Sequence, residues 1–461
     1  MKSILGFLFF VLTGLIFVSC YSDIVHEKSI SLIIPVDIHG DFSFKRPIKS
    51  LNGIGNGPLY SFRKDCFSVD VSHYYGELNI PIIRYHDVEY FNSKNEAVNI
   101  SAIFPDPAAD VYDPDSYNFS ATDQLMKSAM DIGCRVIFRL GENIQNLGSA
   151  TGSNIPPADF CKWAAVAERV VAHYEDGWSN GFHYKGIMWE VWNEPYNSQC
   201  WLGTFDAYCE FYKIVWQYIY TKHPNTDISP SYINSTENRA KLYRCIRDNH
   251  LGIGHCFIHH YWEDFAGIEE DAKKFKKELA QYGLEADVIL NEWNYLSPDG
   301  GWNNLTTTFC AIQTQQAAAW CARQLMYMQA AEDLAAAVYY ISDTPGFWTG
   351  LYKLDSVGKV VLLPTYDVFK YFGRLYKLGN EITLDGVPQD IYALAASDGS
   401  RVGIMIVNYL DIEKKVVFRM DGLQLDDPVV RVKDELYKGN VEWIEISLQP
   451  YEVSYISIEP I

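Results

Sequence analysis

Two glutamates in this chain each follow an apolar, strand-like run. Glu194 comes after the run Trp-Glu-Val-Trp-Asn, and Glu292 comes after Val-Ile-Leu-Asn. Burying such a charge is costly unless it is used or paired. Two carboxylates at the ends of nearby strands suit the cleavage of a glycosidic bond, in which one protonates the leaving oxygen and the other attacks the anomeric carbon. Buried structural ion pairs are the alternative.

The dipeptide Asn-Glu occurs four times in the chain and therefore means little by itself. Asn95-Glu96 and Asn380-Glu381 lie in polar stretches, and we expect both to be solvated. Glu194 and Glu292 differ because each follows an apolar run and has tryptophan nearby. They are 98 residues apart. Three βα units of about 33 residues fill that distance, close to the roughly 31 of a barrel of about 250 residues.

Eight short apolar runs alternate with helix-like stretches. This alternation predicts parallel βα units, and eight units predict an α/β fold, a (β/α)8 TIM barrel, over residues 51–363. A doubly wound sheet is the alternative, but no glycine-rich dinucleotide fingerprint follows the first run. The runs are Leu51–Gly57, Ile80–His86, Arg135–Leu140, Gly186–Trp192, Asp227–Ser231, Cys256–Tyr261, Asp287–Glu292 and Ala336–Ile341.

The sequence pattern changes at about residue 364 from alternating strand-like and helix-like stretches to strand-like runs. Six runs typical of strands, separated by turn signals, predict an accessory antiparallel β-sandwich over residues 364–461. In the N-terminal segment 20–50, residues 29–37 read as a strand that could complete this sandwich. Two long loops, 87–121 and 293–308, follow predicted barrel strands, so we expect both to wall the C-terminal face of the barrel.

The first residues have the plan of a secretion signal, with one lysine, an uncharged apolar run and then Ser19 before Cys20. A small residue followed by cysteine resembles the lipobox of bacterial lipoproteins. We therefore expect 1–19 to be removed and Cys20 to carry a lipid that anchors the chain in the cell envelope, facing the periplasm or the outside. An ordinary signal peptide is the alternative. No later run is long enough to span a membrane.

Charge restricts the partners of this chain. It has 38 Lys and Arg against 58 Asp and Glu, a formal net charge of −20. Such a field repels nucleic acid and anionic membrane surfaces. The cysteines lack zinc-like spacing. His259 and its neighbour His260 point to opposite faces of a strand, so we expect neither a metal nor another cofactor.

The glutamate segments resemble the glycoside hydrolases of clan A, and most closely family 39. The Trp-Glu-Val-Trp-Asn-Glu-Pro motif with Leu-Asn-Glu-Trp downstream carries the clan resemblance. The order of further segments points to family 39, and together they cover nearly all of the chain after the signal. These segments are residues 51–58, 84–87, 104–117, 259–261 and 339–343.

The resemblance implies roles for the polar residues at the strand ends. Glu194 matches the acid/base, whose pKa must be raised by burial or by the neighbouring carboxylate. Glu292 matches the nucleophile, which must stay ionised. Asn193 matches an asparagine that binds the sugar 2-hydroxyl. Arg84 matches a residue that positions a catalytic carboxylate.

The same resemblance assigns the sugar contacts. His86 and His259 match histidines that bind sugar, and Tyr261 could orient the nucleophile. Trp348 could be a stacking platform. Trp293 supports the site or packs the barrel, and Trp189 and Trp192 leave the same choice open. Arg139, Glu142 and Glu190 could form a structural charge network in the barrel mouth.

The expected activity is that of a retaining exo-glycosidase, resembling a β-xylosidase, on oligosaccharides or polysaccharides of plant or host origin. Position 261 is tyrosine where the iduronidase pattern has lysine, so a uronic acid substrate is disfavoured. Galactose, glucose and arabinose remain alternatives to xylose. A second hypothesis is a glycan-binding surface lipoprotein on a glycosidase scaffold. The sequence sets no oligomeric state.

Overall fold

The computed structural model describes residues 36–61, 66–88, 97–144, 153–261, 266–342, 348–419, 428–441 and 443–460. The expected signal, Cys20 and most of the expected strand at 29–37 lie outside these ranges. The segment Asn95-Glu96 lies outside them as well.

The strands are numbered in chain order. They are β1 (Val36–Pro47), β2 (Ser50–Gly55), β3 (Leu59–Tyr60), β4 (Val69–Asp70), β5 (Ile82–Tyr85), β6 (Arg135–Leu140), β7 (Met188–Val191), β8 (Asp227–Pro230), β9 (His255–Tyr261), β10 (Asp287–Asn294), β11 (Leu334–Tyr339), β12 (Tyr352–Leu354), β13 (Val360–Leu362), β14 (Asn380–Asp385), β15 (Ile391–Ser397), β16 (Val402–Asn408), β17 (Lys414–Arg419), β18 (Val429–Val432), β19 (Glu435–Leu436), β20 (Trp443–Leu448) and β21 (Val453–Glu459).

The helices are numbered in the same way. They are α1 (Ser72–Glu77), α2 (Ile100–Ile103), α3 (Ser120–Asp131), α4 (Phe160–Asp176), α5 (Phe205–Lys222), α6 (Thr236–Asp248), α7 (Ala266–Gln281), α8 (Leu305–Ile312), α9 (Gln315–Ala330) and α10 (Pro364–Leu378).

Eight parallel strands form a nearly closed barrel, which confirms the predicted TIM barrel. Their order in the sheet is β8-β7-β6-β5-β2-β11-β10-β9. Each coincides with one of the eight apolar runs to within a few residues. The ring closes between β8 and β9, where the backbone N–H of Gly254 donates to the carbonyl of Ile228 at 3.0 Å.

The barrel interior has an apolar layer in its middle and a polar layer nearer the carboxyl ends of the strands. An apolar layer inside the barrel includes Ile82, Ile137, Met188, Phe257 and Ile289, one from each of five strands. Side chains two residues apart on a strand share a face. The next inward residues are therefore Arg84, Arg139, Glu190, His259 and Asn291, all buried.

Several barrel helices begin at a polar residue whose side chain accepts a backbone N–H of the first turn. Asp159 does this for α4, Thr204 for α5 and Ser235 for α6. Such caps satisfy donors that have no partner inside the helix. These polar residues thus fix where α4, α5 and α6 start.

The accessory domain is one nine-stranded sheet that folds back on itself. Its order is β19-β18-β21-β16-β15-β14-β1-β17-β20, antiparallel except where β1 meets β17. Residues of β17 and β20 share one apolar core with residues of β15, β16 and β21, so the two halves form the predicted β-sandwich. The other face of β16 packs against α9 and α10 of the barrel.

The C-terminal part of this sheet begins at Asn380, later than the expected 364, because residues 364–378 form α10. Its first strand, β14, contains Glu381, which we expected to be solvated. That expectation is wrong. Glu381 is buried and accepts hydrogen bonds from Arg46 at 2.7 Å and from Gln329 at 2.8 Å.

Two further properties concern the described residues only. The nine cysteines after Cys20 all have free thiols. None of the described helices combines the length and the apolar character needed to cross a bilayer.

Candidate active site

Arg84 lies at the centre of the polar layer. Its Nε is 2.7 Å from Glu190 Oε2, one Nη is 2.7 Å from Glu292 Oε1, and the other donates to Asn193 Oδ1 at 2.9 Å. Burial by itself would lower the pKa of this guanidinium, but Glu190 and Glu292 outweigh burial and raise it. Arg84 is thus a fixed cation that orients two carboxylates and one amide.

A β-bulge turns Glu292 into the barrel. Strict alternation from Ile289 would point Asn291 inward and Glu292 outward. The register against β9 shifts between Leu290 and Glu292, however, so Asn291 is an extra residue in β10. Both side chains then face the barrel mouth, where the Asn291 amide donates to Glu190 at 3.0 Å.

Three neighbouring groups hold the Glu292 carboxylate. Arg84 donates to Oε1, the Tyr261 hydroxyl donates to Oε2 at 2.8 Å, and His259 Nδ1 lies 3.2 Å from Oε2. The side chain is only 7% exposed. A carboxylate surrounded by donors from two strands is well oriented for attack on an electrophilic carbon.

Glu194 is placed by a turn rather than by a strand. β7 ends at Val191, and the backbone φ is +70° at Trp192 and +40° at Glu194. The Glu194 N–H donates to Ser231 Oγ at 3.1 Å, which fixes this turn against the end of β8. The carboxylate lies at the mouth of the barrel with 19% of its side chain exposed.

The hydrogen-bond partners of Glu194 stabilise its charged form. Burial raises the pKa of this carboxyl, but the hydrogen bond and charge of His259 outweigh burial, and Asn197 and Tyr196 add to the effect. The net pKa is lowered. The expectation that the pKa of Glu194 is raised is therefore wrong, because sequence reasoning did not foresee an imidazole 2.7 Å from Oε1.

His259 joins the two glutamates. Its Nδ1 is 2.7 Å from Glu194 Oε1 and 3.2 Å from Glu292 Oε2. One donor atom from each of the three residues lies within 4.8 Å of the other two. These are the residues at this site that could together hold a cation, although the sequence led us to expect none.

His86 brings a second imidazole to the site. It is buried, its Nε2 lies 3.9 Å from Glu292 Oε1, and neither ring nitrogen has a hydrogen-bond partner in the described part of the chain. Burial lowers the pKa of His86 well below its usual value, and the nearby arginines lower it further. A neutral imidazole that can donate and accept suits a hydroxyl-rich ligand.

Aromatic rings form one wall above Glu292. The Tyr261 ring is 5.3 Å from Trp302 and 5.6 Å from Trp348, and the two tryptophans are 5.6 Å apart. Trp302 is 53% exposed although it belongs to this cluster. Such rings offer flat apolar faces to a ligand. Trp348, placed here from the sequence, thus has Trp302 as a neighbour.

Three other tryptophans face away from the site. Trp293 is fully buried against Trp320 and Tyr339, since the residue after the bulge points toward the helices. Trp189 and Trp192 are fully buried as well. Strict alternation along β7 would place Trp192 on the face of Glu190, but the left-handed backbone at Trp192 turns its ring away from that face.

The charge network expected from Arg139, Glu142 and Glu190 is arranged differently. Arg139 pairs with Asp87 at 2.6 Å, whereas Glu190 pairs with Arg84. Glu142 instead accepts a hydrogen bond from the Ser101 hydroxyl of α2, and burial raises the pKa of Glu142 to about 6.

Sequence reasoning missed two residues that contact glutamates of the polar layer. Asn291 and Ser231 both contact Glu190, and Ser231 also fixes the turn at Glu194. Each directly follows a predicted strand or lies in it. That position was the only available signal.

The same arrangement of barrel and sandwich occurs in solved glycoside hydrolases, although no protein-family model matches the chain. A glucosidase from Croceicoccus marinus superposes with a TM-score of 0.72 and 17% identity, over 93% of this chain and 100% of that one. A family 39 (GH39) β-xylosidase from Caulobacter crescentus gives 0.67 and 16%, over 93% and 100%.

The chain has the fold of these glycoside hydrolases. An α-L-arabinofuranosidase from Thermotoga maritima, solved with arabinose, is also similar, with a TM-score of 0.62 and 15% identity over 92% of this chain and 100% of that one. At these identities the likeness concerns the fold.

Proposed function

We propose that this protein is a retaining glycoside hydrolase. The observation that carries the proposal is the pair Glu194 and Glu292, with a carboxylate oxygen from each within 4.8 Å of the other. Retaining enzymes place their two carboxyl groups about 5–5.5 Å apart, whereas inverting enzymes need about 6.5–9.5 Å to admit water. The short separation favours direct attack by one glutamate.

Glu292 is the proposed nucleophile. Its oxygens are oriented by Arg84 and Tyr261, and it is the less exposed of the pair. In the first step, a Glu292 oxygen bonds to the anomeric carbon while the bond to the leaving oxygen breaks. In the second step, water attacks that carbon and releases the carboxylate.

Glu194 is the proposed acid and base. It gives a proton to the leaving oxygen in the first step and takes one from water in the second. The donors around it favour its ionised form in the free protein. Because the first step needs the protonated carboxyl of Glu194, we infer that activity increases towards acidic pH.

A neutral sugar is the proposed substrate. The two arginines of the polar layer are already engaged, since Arg84 pairs with Glu190 and Glu292 while Arg139 pairs with Asp87. In the described residues neither cation is left to bind a sugar carboxylate. Among neutral sugars we propose a terminal β-xyloside first, because a β-xylosidase is among the proteins with this fold.

The proposal is tested by a hydrolysis screen on aryl β-xyloside, β-glucoside, β-galactoside and α-L-arabinofuranoside, followed by oligosaccharides. We expect turnover of at least one glycoside, with the first product anomer of the same configuration as the substrate by NMR. Inverted product would overturn the retaining mechanism. Release of internal fragments from a polysaccharide, without monosaccharide, would overturn exo action.

A glycan-binding protein without hydrolytic activity is the second candidate. The aromatic wall of Tyr261, Trp302 and Trp348 favours it, because such rings can bind a sugar face without any hydrolysis. Calorimetric binding of an oligosaccharide, with no product after prolonged incubation at acidic and neutral pH, would establish this alternative.

Lipid attachment at Cys20 remains a proposal of its own. It rests on the small residue before this cysteine at the end of the apolar run. We expect Cys20→Ser to move the protein from the membrane fraction to the soluble fraction and to abolish labelling by radioactive palmitate. Unchanged labelling in that variant would exclude Cys20 as the lipid site.

A further inference from the structure

We propose that His259, Glu194 and Glu292 form a binding site for a first-row transition cation such as Zn²⁺, and that this cation competes with the sugar. This proposal deepens the proposed function. Only the expected competition with the sugar rests on the proposed function, whereas binding of the cation does not. Zinc takes imidazole nitrogen and carboxylate oxygen as ligands. One nitrogen and two oxygens here lie within 4.8 Å of one another.

The distances around His259 Nδ1 fit such an ion. Ligands about 2.0–2.2 Å from a tetrahedral zinc lie roughly 3.4 Å apart. Nδ1 lies 2.7 Å from Glu194 Oε1 and 3.2 Å from Glu292 Oε2. Admitting the cation would therefore require the Nδ1–Glu194 distance to open by about 0.7 Å and the Nδ1–Glu292 distance by about 0.2 Å.

The charge of the site favours a cation. Glu190, Glu194 and Glu292 contribute three negative charges, and Arg84 compensates one of them. The neighbouring Asp87–Arg139 pair is neutral as a unit. A divalent ion would balance the remaining two charges, which His259 can do only in part.

Buried imidazole nitrogens without partners are an independent sign of a ligand. Both ring nitrogens of His86 and the Nε2 of His259 have no hydrogen-bond partner in the described ranges. Such groups cost free energy unless a ligand or water satisfies them. His86 Nε2, 3.9 Å from Glu292 Oε1, flanks the proposed ion. With Nδ1 bound to the ion, the His259 ring would carry its proton on Nε2.

Three protein ligands leave one coordination position open on a tetrahedral ion. Because Glu194 and Glu292 are the residues that the sugar must reach, metal and sugar would occupy the same space. We therefore expect a reversible competitive inhibitor. The nitrogen and oxygen donor set favours Zn²⁺, Co²⁺ or Cu²⁺ over Mg²⁺ or Ca²⁺, which prefer oxygen alone.

The test is calorimetric titration of the full chain with Zn²⁺, after treatment with EDTA and alkylation of the free thiols. We expect one site per chain, and no binding of Mg²⁺. His259→Asn and, separately, the milder Glu194→Gln should each weaken binding more than about tenfold. The matched control is His260→Gln, which removes a histidine that faces Asp271 instead, at 3.4 Å. Equal affinity in all four proteins would overturn the proposal.

Cobalt gives a spectroscopic check that does not depend on activity. Co²⁺ at this site should produce visible absorption of a four- or five-coordinate ion, with no thiolate charge-transfer band. In kinetics on a cleaved glycoside, Zn²⁺ should raise KM at constant kcat, and EDTA should reverse the effect. Binding without any hydrolysis would overturn the proposed function alone, whereas hydrolysis without zinc binding would overturn the metal site alone.

Discussion

The two catalytic candidates occupy opposite kinds of backbone. Glu292 lies inside β10, where a bulge turns it inward, and Arg84 and Tyr261 from other strands orient it. Glu194 lies after the end of β7, in a turn with positive φ, and its main partner is His259. The first glutamate is oriented by donors from two strands, and the second is held by a turn and an imidazole. Under the proposed function, these different surroundings assign two roles to two identical side chains.

The largest expected effect on kcat comes from replacing Glu292, the proposed nucleophile. Glu292→Gln should lower kcat by more than about 10⁴-fold, because an amide cannot form the covalent intermediate. Initial rates on the best aryl glycoside measure this loss. Glu381→Gln is the matched control, since it neutralises another buried, ion-paired glutamate in the sandwich and should leave kcat unchanged. Substantial residual turnover in Glu292→Gln would break the assignment.

The proposed acid role of Glu194 should appear as a dependence of the rate on the leaving group. Glu194→Gln should cost roughly 10²–10⁴-fold on substrates with a poor leaving group, and far less on an activated aryl glycoside that needs no acid. Added azide should restore part of the second step. Comparison of the two substrate types gives the measurement. An equal loss on both would show that Glu194 does not act as the acid.

Removal of a single donor to the nucleophile should have an intermediate effect. Tyr261→Phe deletes the hydroxyl that donates to Glu292 at 2.8 Å while the ring keeps its place beside Trp302. A hydrogen bond to a charged group contributes about 1.5–3 kcal/mol, so kcat/KM should fall roughly 10–150-fold. Unchanged kinetics would mean that Arg84 and His259 orient the carboxylate without the hydroxyl.

The pH profile tests the contrast between the two glutamates directly. His259 lowers the pKa of Glu194, so the protonated acid is lost at a lower pH than for an unpaired carboxyl. His259→Asn removes that stabilisation of the charged form, and burial then raises the pKa. We expect the alkaline limb of kcat/KM to move to higher pH. A shift to lower pH would contradict the direction inferred for this pair.

The smallest expected effect concerns the aromatic wall. Trp302→Ala should raise KM roughly two- to tenfold, because an aromatic contact is worth about 0.5–1.5 kcal/mol. Trp293→Phe is the control, because this tryptophan lies in β10 with its ring directed away from the site. It should lower the melting temperature but leave KM unchanged, since this ring packs on Trp320. Equal effects on KM would mean that Trp302 does not contact the sugar.

The barrel could be predicted from the sequence because buried parallel strands are nearly continuous apolar runs. The runs at Arg135–Leu140 and Asp227–Ser231 coincide with β6 and β8 almost residue for residue. Both glutamates could be placed at the barrel mouth for the same reason. Their detailed surroundings depend on partners that are distant in the chain, such as Arg84 and His259.

Alternation along a strand fails where the backbone departs from the strand. It would place Trp192 on the face of Glu190, but the positive φ at Trp192 reverses that side chain. It could not foresee the bulge at Asn291, because a register shift depends on the neighbouring strand. β14 was missed because its polar Glu381 is buried by partners that are distant in the chain, Arg46 of β1 and Gln329 of α9.

The pairing of β1 with β14 also limits when the accessory sheet can form during synthesis of the chain. Arg46 and Glu381 are 335 residues apart, and the whole barrel lies between them. During synthesis β1 is made first, and it cannot pair with β14 until the residues of the barrel have been made. Any cut that removes β1 would expose the edges of both β14 and β17 to association with other chains.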